Sequence, residues 1–590
     1  MSSSMTIAHV THEAKAKIGG IGAVLEGFFT SQAYLKEVKR SIVIGPLFST
    51  EGSVLNRLGD DGEVLYSSMD GLTTSKYATV FQKIEGLYNV SIIYGRRTFV
   101  DTQTGITSSP EVILIDVKSM YNEPVNELKR QLFEKFGIRS DLYQHLWDYE
   151  EYVRLALPAM AALKGIGAAA EQTTIISHEF MGMPTAMMAM LDHDCDFRTV
   201  FYAHEVATMR RIVEAHPGHD TMFYNAMQLG CNDDLYVEDV FGDQNDFFKH
   251  PLVQASKHCD SICAVGDYTA RELSFLSPEF KDANIETVYN GIPAYQIDLA
   301  ERLESKARLQ QYCQNLLKFR PDYIFTHVTR LVQSKGLWRD LRVLENVDRH
   351  LAGTDKTAVM FLLSTEVAQR EGVDIHNMEA EYGWPIAHRE GWPDLSGGEA
   401  RFYTAIQQFN SHSQNIKIVF INQFGFYRRF CGQAMPEDMT FLDIRRGSDV
   451  EFGMSIYEPF GIAQLEPLTF GGICVISNVC GCAGFVNEVS NGESCKNVIV
   501  ADYTYLDGQA EYTDLWELLQ MDRTVRNEVE SRVSADIARQ IIQSLPKNDA
   551  ETEEMIRTGY DLAKQMSWDV VVENHLLKNL RSQNKETICN

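Results

Sequence analysis

An α/β chain of two doubly wound halves is the fold class this sequence predicts, on three observations. At 590 residues it is too long for one hydrophobic core, so at least two large domains are expected. Short β-rich runs alternate with longer helical patterns, the signal of parallel strands joined by crossover helices. The alternation pauses at a helical connection near 297–318 and then restarts. Ligands of such sheets sit beyond the carboxyl ends of the strands. A deep cleft between the two halves is expected with them.

In the first half the β-rich runs are MTIAHV (5–10), SIVIG (41–45), NVSIIY (89–94), VILIDV (112–117), TTIIS (173–177), TVFYA (199–203), SICAV (261–265) and ETVYN (286–290). After the first of them, Ile21, Val24, Leu25, Phe28 and Phe29 fall at i, i+3, i+4, i+7 and i+8, the apolar stripe of a core-facing helix. The second half runs through YIFTHV (323–328), VMFLL (359–363), IKIVFI (416–421), SDVEFGMS (448–455) and ICVIS (473–477). Domains of 1–300 and 301–565 follow, with a closing segment 566–590. The Trp-Pro pairs and Gly-Gly of 381–400 read as an irregular insertion near 370–412 of the second domain.

Composition narrows the function. Hydrophobic content of 44% and charged content of 23% are those of an ordinary globular protein. A net charge of −27 repels nucleic acid and anionic membranes alike. A neutral polysaccharide or small metabolite remains compatible with it, and so does a homo-oligomer. MGMPTAMMAML (181–191) is too short to span a bilayer and reads as a buried helix. The start MSSSMTIAHV lacks the features of a signal peptide, and eleven scattered cysteines read as reduced thiols. A cytoplasmic location is the expectation.

The motif richest in chemistry is SIYEPFGIAQLEPLTFGG, which places Glu458 at a strand-to-helix loop and Glu466 two helical turns on. Carboxylates so placed suit sugar hydroxyls and a ribose diol. In VTRLVQSKG, Arg330 and Lys335 flank a loop after a strand, where two cations can neutralise a diphosphate. Cations are disfavoured at a helix N-terminus unless an anion resides there; solvated charges are the alternative. Near the N-terminus, Gly19, Gly20 and Gly22 of KIGGIG let a loop turn sharply before a helix whose free N–H groups favour an anion, with Lys17 adding charge. Tight helix–strand packing explains such a loop equally well. His204 ends a strand with Arg210 six residues on; neither His178-Glu179 nor His204-Glu205 completes a zinc-hydrolase motif. Arg445-Arg446 reads as a solvated pair, with a site for an anionic effector as the alternative, and Cys480-x-Cys482 has no partner pair for zinc.

Taken together, KIGGIG, FYAHEVATMR, VTRLVQSKG, YEPFGIAQLEPLTFGG and MSWDVVVENHL resemble the retaining glycosyltransferases of the GT-B fold, most closely the glycogen and starch synthases, over nearly the whole chain. The resemblance implies two Rossmann-like domains facing a cleft and a closing helix that crosses back onto the first. It implies transfer of glucose from UDP-glucose or ADP-glucose, as substrate, to the non-reducing 4-OH of an α-1,4-glucan. No cofactor or metal is implied. By position, Arg330 and Lys335 hold the leaving diphosphate, Glu458 the donor glucose hydroxyls and Glu466 the ribose. Phe460 and Gly461 belong to the same donor loop. His204 lies near the glucose 6-OH, Arg210 at the donor site, and Lys17, Gly19 and Gly20 on the phosphate and acceptor side. Two departures concern the acceptor: Gly20-Ile21-Gly22-Ala23 lacks the family's acid, and Cys480-Gly481-Cys482-Ala483-Gly484-Phe485 replaces its Thr-Gly-Gly-Leu loop. Rival readings are a related transferase with a small or lipid-linked acceptor, a sugar-nucleotide epimerase or phosphorylase, and a silent sugar-binding protein.

Overall fold

Parallel strands form where the β-rich runs lie, and their connections decide the two sheets. The structure, a computed structural model, describes residues 5–49, 54–59, 62–367, 369–423, 425–506 and 512–586. It separates into two units: Met1–Met209 with Asp234–Gly291 and Trp568–Asn590, and Arg210–Asp233 with Ile292–Ser567.

The first unit contains β1 (Met5–Val10), β2 (Val38–Pro46), β3 (Glu63–Ser67), β4 (Leu72–Thr73), β5 (Ser91–Arg96), β6 (Phe99–Val100), β7 (Thr107–Ser108), β8 (Glu111–Asp116), β9 (Thr174–His178), β10 (Arg198–Ala203), β11 (Ser261–Ala264) and β12 (Ile285–Thr287). Ten of these make one sheet in the order β12-β11-β10-β9-β1-β2-β8-β5-β3-β4, while β6 and β7 pair separately. The sheet is parallel from β12 to β8, but β5 runs antiparallel to both β8 and β3. A wholly parallel sheet was expected here. The link from β5 to β8 carries only the β6–β7 ribbon and no helix, so the chain returns beside itself. The strand expected at 89–94 also begins two residues later, because Asn89 takes φ 57° and caps the helix Ala78–Tyr88.

The stripe predicted after β1 is buried throughout: Ile21, Val24, Leu25, Phe28 and Phe29 are at most 6% exposed. Met183 and Met187 of the helix Glu179–Leu191 are fully buried. Among the described residues no helix is long and apolar enough to cross a membrane. The terminal segment joins this unit through Trp568, whose ring fills the space a Cβ would need at Gly27 and Gly291, and through Ser31 Oγ, which donates to Asp569 at 2.6 Å.

The second unit is wholly parallel: β13 (Tyr323–Arg330), β14 (Ala358–Thr365), β15 (Ile416–Ile421), β16 (Val450–Gly453), β17 (Ile473–Ser477) and β18 (Val498–Ala501), in the order β15-β14-β13-β16-β17-β18. Its strands bury both faces. Phe325, Met360, Leu362, Ile418 and Phe420 enter one core, and Ile324, Val359, Phe361, Leu363, Val419 and Ile421 enter the other. The strand order reverses between β13 and β16, so their carboxyl ends flank the crevice where such sheets take ligands.

Two boundaries differ from expectation. The stretch expected as an irregular insertion is the ordered β14-to-β15 crossover, with helices Gly372–Tyr382 and Gly397–His412. Buried Arg370 locks it by pairing with Glu399 at 2.6 Å, and Trp384 Nε1 donates to Asn422 Oδ1 at 2.9 Å. Residues 210–233, expected in the first domain, group with the second. Arg339, fully buried, ties them there through Asp220 at 2.6 Å while also pairing with Glu530 at 3.0 Å, and Thr221 Oγ1 and Asn225 Nδ2 donate to Tyr503 O and Thr504 O at 2.8 Å each.

Candidate functional site

β13 ends at Arg330, whose guanidinium is exposed and has no partner among the described residues. The chain then makes a tight turn, Gln333–Lys335, and enters the helix Leu337–Leu351 through Gly336. Gly336 has φ 61°, and a Cβ there would lie 2.8 Å from Met454 O, so this corner needs glycine on two counts. Ser334 O accepts from Ile456 N at 2.8 Å and from Tyr457 N at 3.2 Å, which stitches the turn to the segment leaving β16.

That stitching brings Lys335 to Glu458. The ammonium donates to Glu458 Oε2, and both side chains are mostly buried. Gln464 Nε2 also donates to Glu458 Oε2, at 3.3 Å, and to Ser455 Oγ at 3.2 Å. Gly461 (φ 95°) lets the chain turn under Gln464, since a Cβ would meet its Oε1 at 2.6 Å. Phe460 serves the core: it is 2% exposed and packs on Phe485, so its side chain presents no face to a ligand.

Glu458 and Glu466 do not share one helix. Glu458 lies in the loop, and Glu466 opens the 3-10 turn Glu466–Phe470 after the four-residue helix Ile462–Leu465. The proline behind Glu466 and the Gly-Gly turn cut the helix short. Glu466 Oε2 is 2.7 Å from Arg445 Nε, and Arg445 also pairs with buried Glu451 at 2.9 Å. The solvated reading of Arg445 is therefore corrected: it is 3% exposed and aims Glu466. Nothing in the Arg445-Arg446 pair signals this, because the partners of Arg445 come from β16 and the segment beyond it. Arg210 reaches the same turn, its Nη2 3.5 Å from Ser334 Oγ, while Gln333 Nε2 donates to Glu214 O at 2.9 Å.

In the first unit the glycine loop is not an open cradle. The buried carboxylate of Glu13 accepts from Ile18 N at 2.6 Å and Gly19 N at 2.7 Å. A Cβ at Gly22 would lie 2.5 Å from that carboxylate, whereas one at Gly20 would meet nothing within 4 Å. Two loop N–H groups ahead of the helix Gly20–Phe29 are thus satisfied by the chain itself; the groups expected to favour an anion are those of the helix's own first turn. Lys17, half-exposed, pairs with Glu26 at 2.7 Å.

His204 stands at the end of a row the motifs did not reveal. Its Nε2 is 2.8 Å from His178 Nδ1, His178 Nε2 is 2.9 Å from His9 Nδ1, and His9 Nε2 is 2.9 Å from Tyr34 Oη. Burial pushes His9 and His204 down to about 3; burial, then the neighbouring imidazoles, push His178 well below 6.5. Beside them Glu179, with φ 62°, accepts from Glu205 N at 2.6 Å, and its other oxygen is buried without a hydrogen-bond partner. Burial, and then Glu205, raise it well above the usual carboxylate range. A non-glycine residue held at positive φ marks a constrained corner; it locks the backbone that carries His204.

Comparisons with known proteins add the following. No family model matches the chain. A glycogen [starch] synthase of Dictyostelium discoideum is 26% identical over 130 residues, which is 21% of this chain and 14% of that protein. Similar solved structures include an α,α-trehalose-phosphate synthase (UDP-forming) from Burkholderia xenovorans in complex with glucose-6-phosphate, at 11% identity and TM-score 0.49 over 98% of this chain and 100% of that one. A sucrose-phosphate synthase from Thermosynechococcus elongatus is similar at 12% and 0.49, over 99% and 100%. The catalytic domain of starch synthase IV from Arabidopsis thaliana, bound to ADP and acarbose, is similar at 15% and 0.46, over 95% and 100%.

Proposed function

We propose that the chain is a retaining glucosyltransferase of the GT-B kind, taking glucose from a nucleoside diphosphate-glucose and adding it to the non-reducing 4-OH of an α-1,4-glucan. One observation carries the reading. Arg330, without a partner among the described residues, and the paired Lys335 and Glu458 lie at the carboxyl ends of β13 and β16, where the strand order reverses. Two cations and the N-terminus of the helix Leu337–Leu351 suit a diphosphate.

Cleavage of the anomeric C–O bond leaves negative charge on the diphosphate and an oxocarbenium-like sugar. Arg330 and Lys335, fixed beforehand, stabilise that charge as it grows. Without donor, Lys335 and Glu458 hold one another; with donor, the ammonium turns to phosphate and the carboxylate accepts from sugar hydroxyls. Glu466, aimed by Arg445, accepts from the ribose diol. The resemblance assigns Lys17, Gly19, Gly20 and Arg210 to the phosphate side and His204 to the glucose 6-OH.

The deciding experiment measures glucose incorporation from UDP-glucose and ADP-glucose side by side, with glycogen, glucose 6-phosphate and fructose 6-phosphate as acceptors. Incorporation into glycogen supports the reading. Transfer only to a phosphorylated sugar keeps the reaction class and replaces the acceptor; no transfer from either donor overturns both.

A further inference from the structure

The row ending at His204 crosses four neighbouring strands. Ser41 lies on β2, His9 on β1, His178 at the end of β9, and His204 one residue beyond β10. In register, His9 faces Ile176 and His178 faces Tyr202, so each step moves two residues toward the carboxyl ends and stays on one face of the sheet. The rings follow one another with interplanar angles of 26° and 17°. Aromatic edges close the flanks: Phe29 against His9 at 5.4 Å, and Tyr202 against His178 and His204 at 5.7 and 4.5 Å. Tyr34 Oη continues the row to Ser41 Oγ at 3.1 Å.

Five of the six ring nitrogens are committed within this row, and only Nδ1 of His204 has no hydrogen bond among the described residues. A neutral imidazole carries one N–H and one bare nitrogen. Two neighbours bond only if one donates and the other accepts, so fixing one ring fixes all three. Two directions are conceivable, set by the Tyr34 end. A phenol hydroxyl is a far stronger acid than a neutral imidazole N–H, and an imidazole nitrogen is a better acceptor than a phenol oxygen. Tyr34 therefore donates to His9 Nε2 and accepts from Ser41. His9 Nδ1–H then donates to His178 Nε2, and His178 Nδ1–H donates to His204 Nε2.

We propose that Tyr34, His9 and His178 are positioning residues for His204: the row holds all three imidazoles as Nδ1–H tautomers and makes His204 Nδ1–H a fixed donor toward a sugar hydroxyl. The identity of that hydroxyl rests on the proposed function; the tautomers do not. The arrangement is unusual for histidine, because the free side chain prefers its proton on Nε2. The tautomer of one ring is set by the bond its other nitrogen makes, here relayed through three rings.

The test is long-range 1H–15N correlation on the full-length protein with 15N-labelled histidine rings at pH 7.5, the three signals assigned by single His→Gln variants. Neutral rings with the proton on Nδ1 in His9, His178 and His204 support the proposal; a proton on Nε2 in any of them overturns it. Tyr34→Phe keeps the ring and removes only the hydroxyl. It is expected to move at least one ring to the Nε2–H form and to lower kcat for glucosyl transfer about tenfold, the worth of one neutral hydrogen bond. Unchanged tautomers in a folded Tyr34→Phe protein overturn the role of that hydroxyl. Nδ1–H tautomers in a wild-type protein that transfers no glucose uphold the row and sink the glycosyl reading. Nε2–H tautomers in an active enzyme do the reverse.

Discussion

Lys335 and Glu458, from opposite sides of the strand-order reversal, form an ion pair with 13–17% of each side chain exposed. The pair joins the turn after β13 to the loop after β16 without belonging to either strand. Its partners are drawn together by backbone bonds from Ile456 and Tyr457 to Ser334, so the site geometry is inherited from the sheet.

Lys335→Ala and Glu458→Ala are each expected to lower turnover by roughly a hundredfold, about 2.7 kcal/mol of lost transition-state stabilisation. Arg330→Ala should fall in the same range. Steady-state assays with both donors check this, and near-wild-type turnover in the Lys335 variant would sink the mechanism.

Gly336→Ala tests the corner that carries Lys335. A left-handed alanine costs about 1–2 kcal/mol, and the contact with Met454 O adds to it. Urea denaturation should show a loss of at least that size. Donor affinity should weaken too, since relief of the contact moves Lys335.

Arg339→Met leaves Asp220 buried without its cation, while Glu530 keeps Arg342 at 3.5 Å and Arg526 at 3.8 Å. Breaking such a pair from one side costs about 3–5 kcal/mol. The effect should appear as a lower Tm and as early proteolysis within 210–233, the segment Arg339 ties down. Full wild-type stability would mean that Asp220 finds another cation.

Stability should fall as pH drops below about 6.5, and the sign can be isolated. His9 and His178 are held neutral by burial, His9 down to about 3, so in this window the unfolded chain binds more protons. Each costs about 1.4 kcal/mol per pH unit once well below 6.5. Glu179 acts oppositely: burial raises its folded value well above 4.5, so between the two the folded state binds the extra proton and acid favours it. Glu179→Gln removes that offset. Its denaturation curves between pH 6 and 5 should steepen by about 1.4 kcal/mol per unit relative to wild type; an unchanged slope would show that Glu179 is ionised when folded.

Much of the architecture was legible in order along the chain. Alternating runs located every central strand of both sheets, because a strand buried on two faces needs an unbroken apolar stretch whatever its neighbours are. The β3 and β4 edge and the β18 edge went unread: VLYS and VIVA are too short to stand out, and edge strands bury less. The placement of Arg330, Lys335 and Glu458 beyond strand ends was legible for a related reason. Strand ends followed by glycine-containing turns announce themselves locally.

Other features depend on contacts remote in sequence, which no local pattern encodes. Arg445 looked solvated until Glu451 and Glu466 closed on it, and nothing in the glycine loop announced that Glu13 accepts from Ile18 N and Gly19 N. The 210–233 segment changed units because Arg339, Tyr503 and Thr504, all remote in sequence, bond to it. The imidazole row needs His9, His178 and His204 on adjacent strands in one register, with 169 and 26 residues between successive members. Spacing within a motif reports what a residue's own turn or strand requires. Which residues become hydrogen-bond partners is set by strand order, and that is a property of the folded sheet.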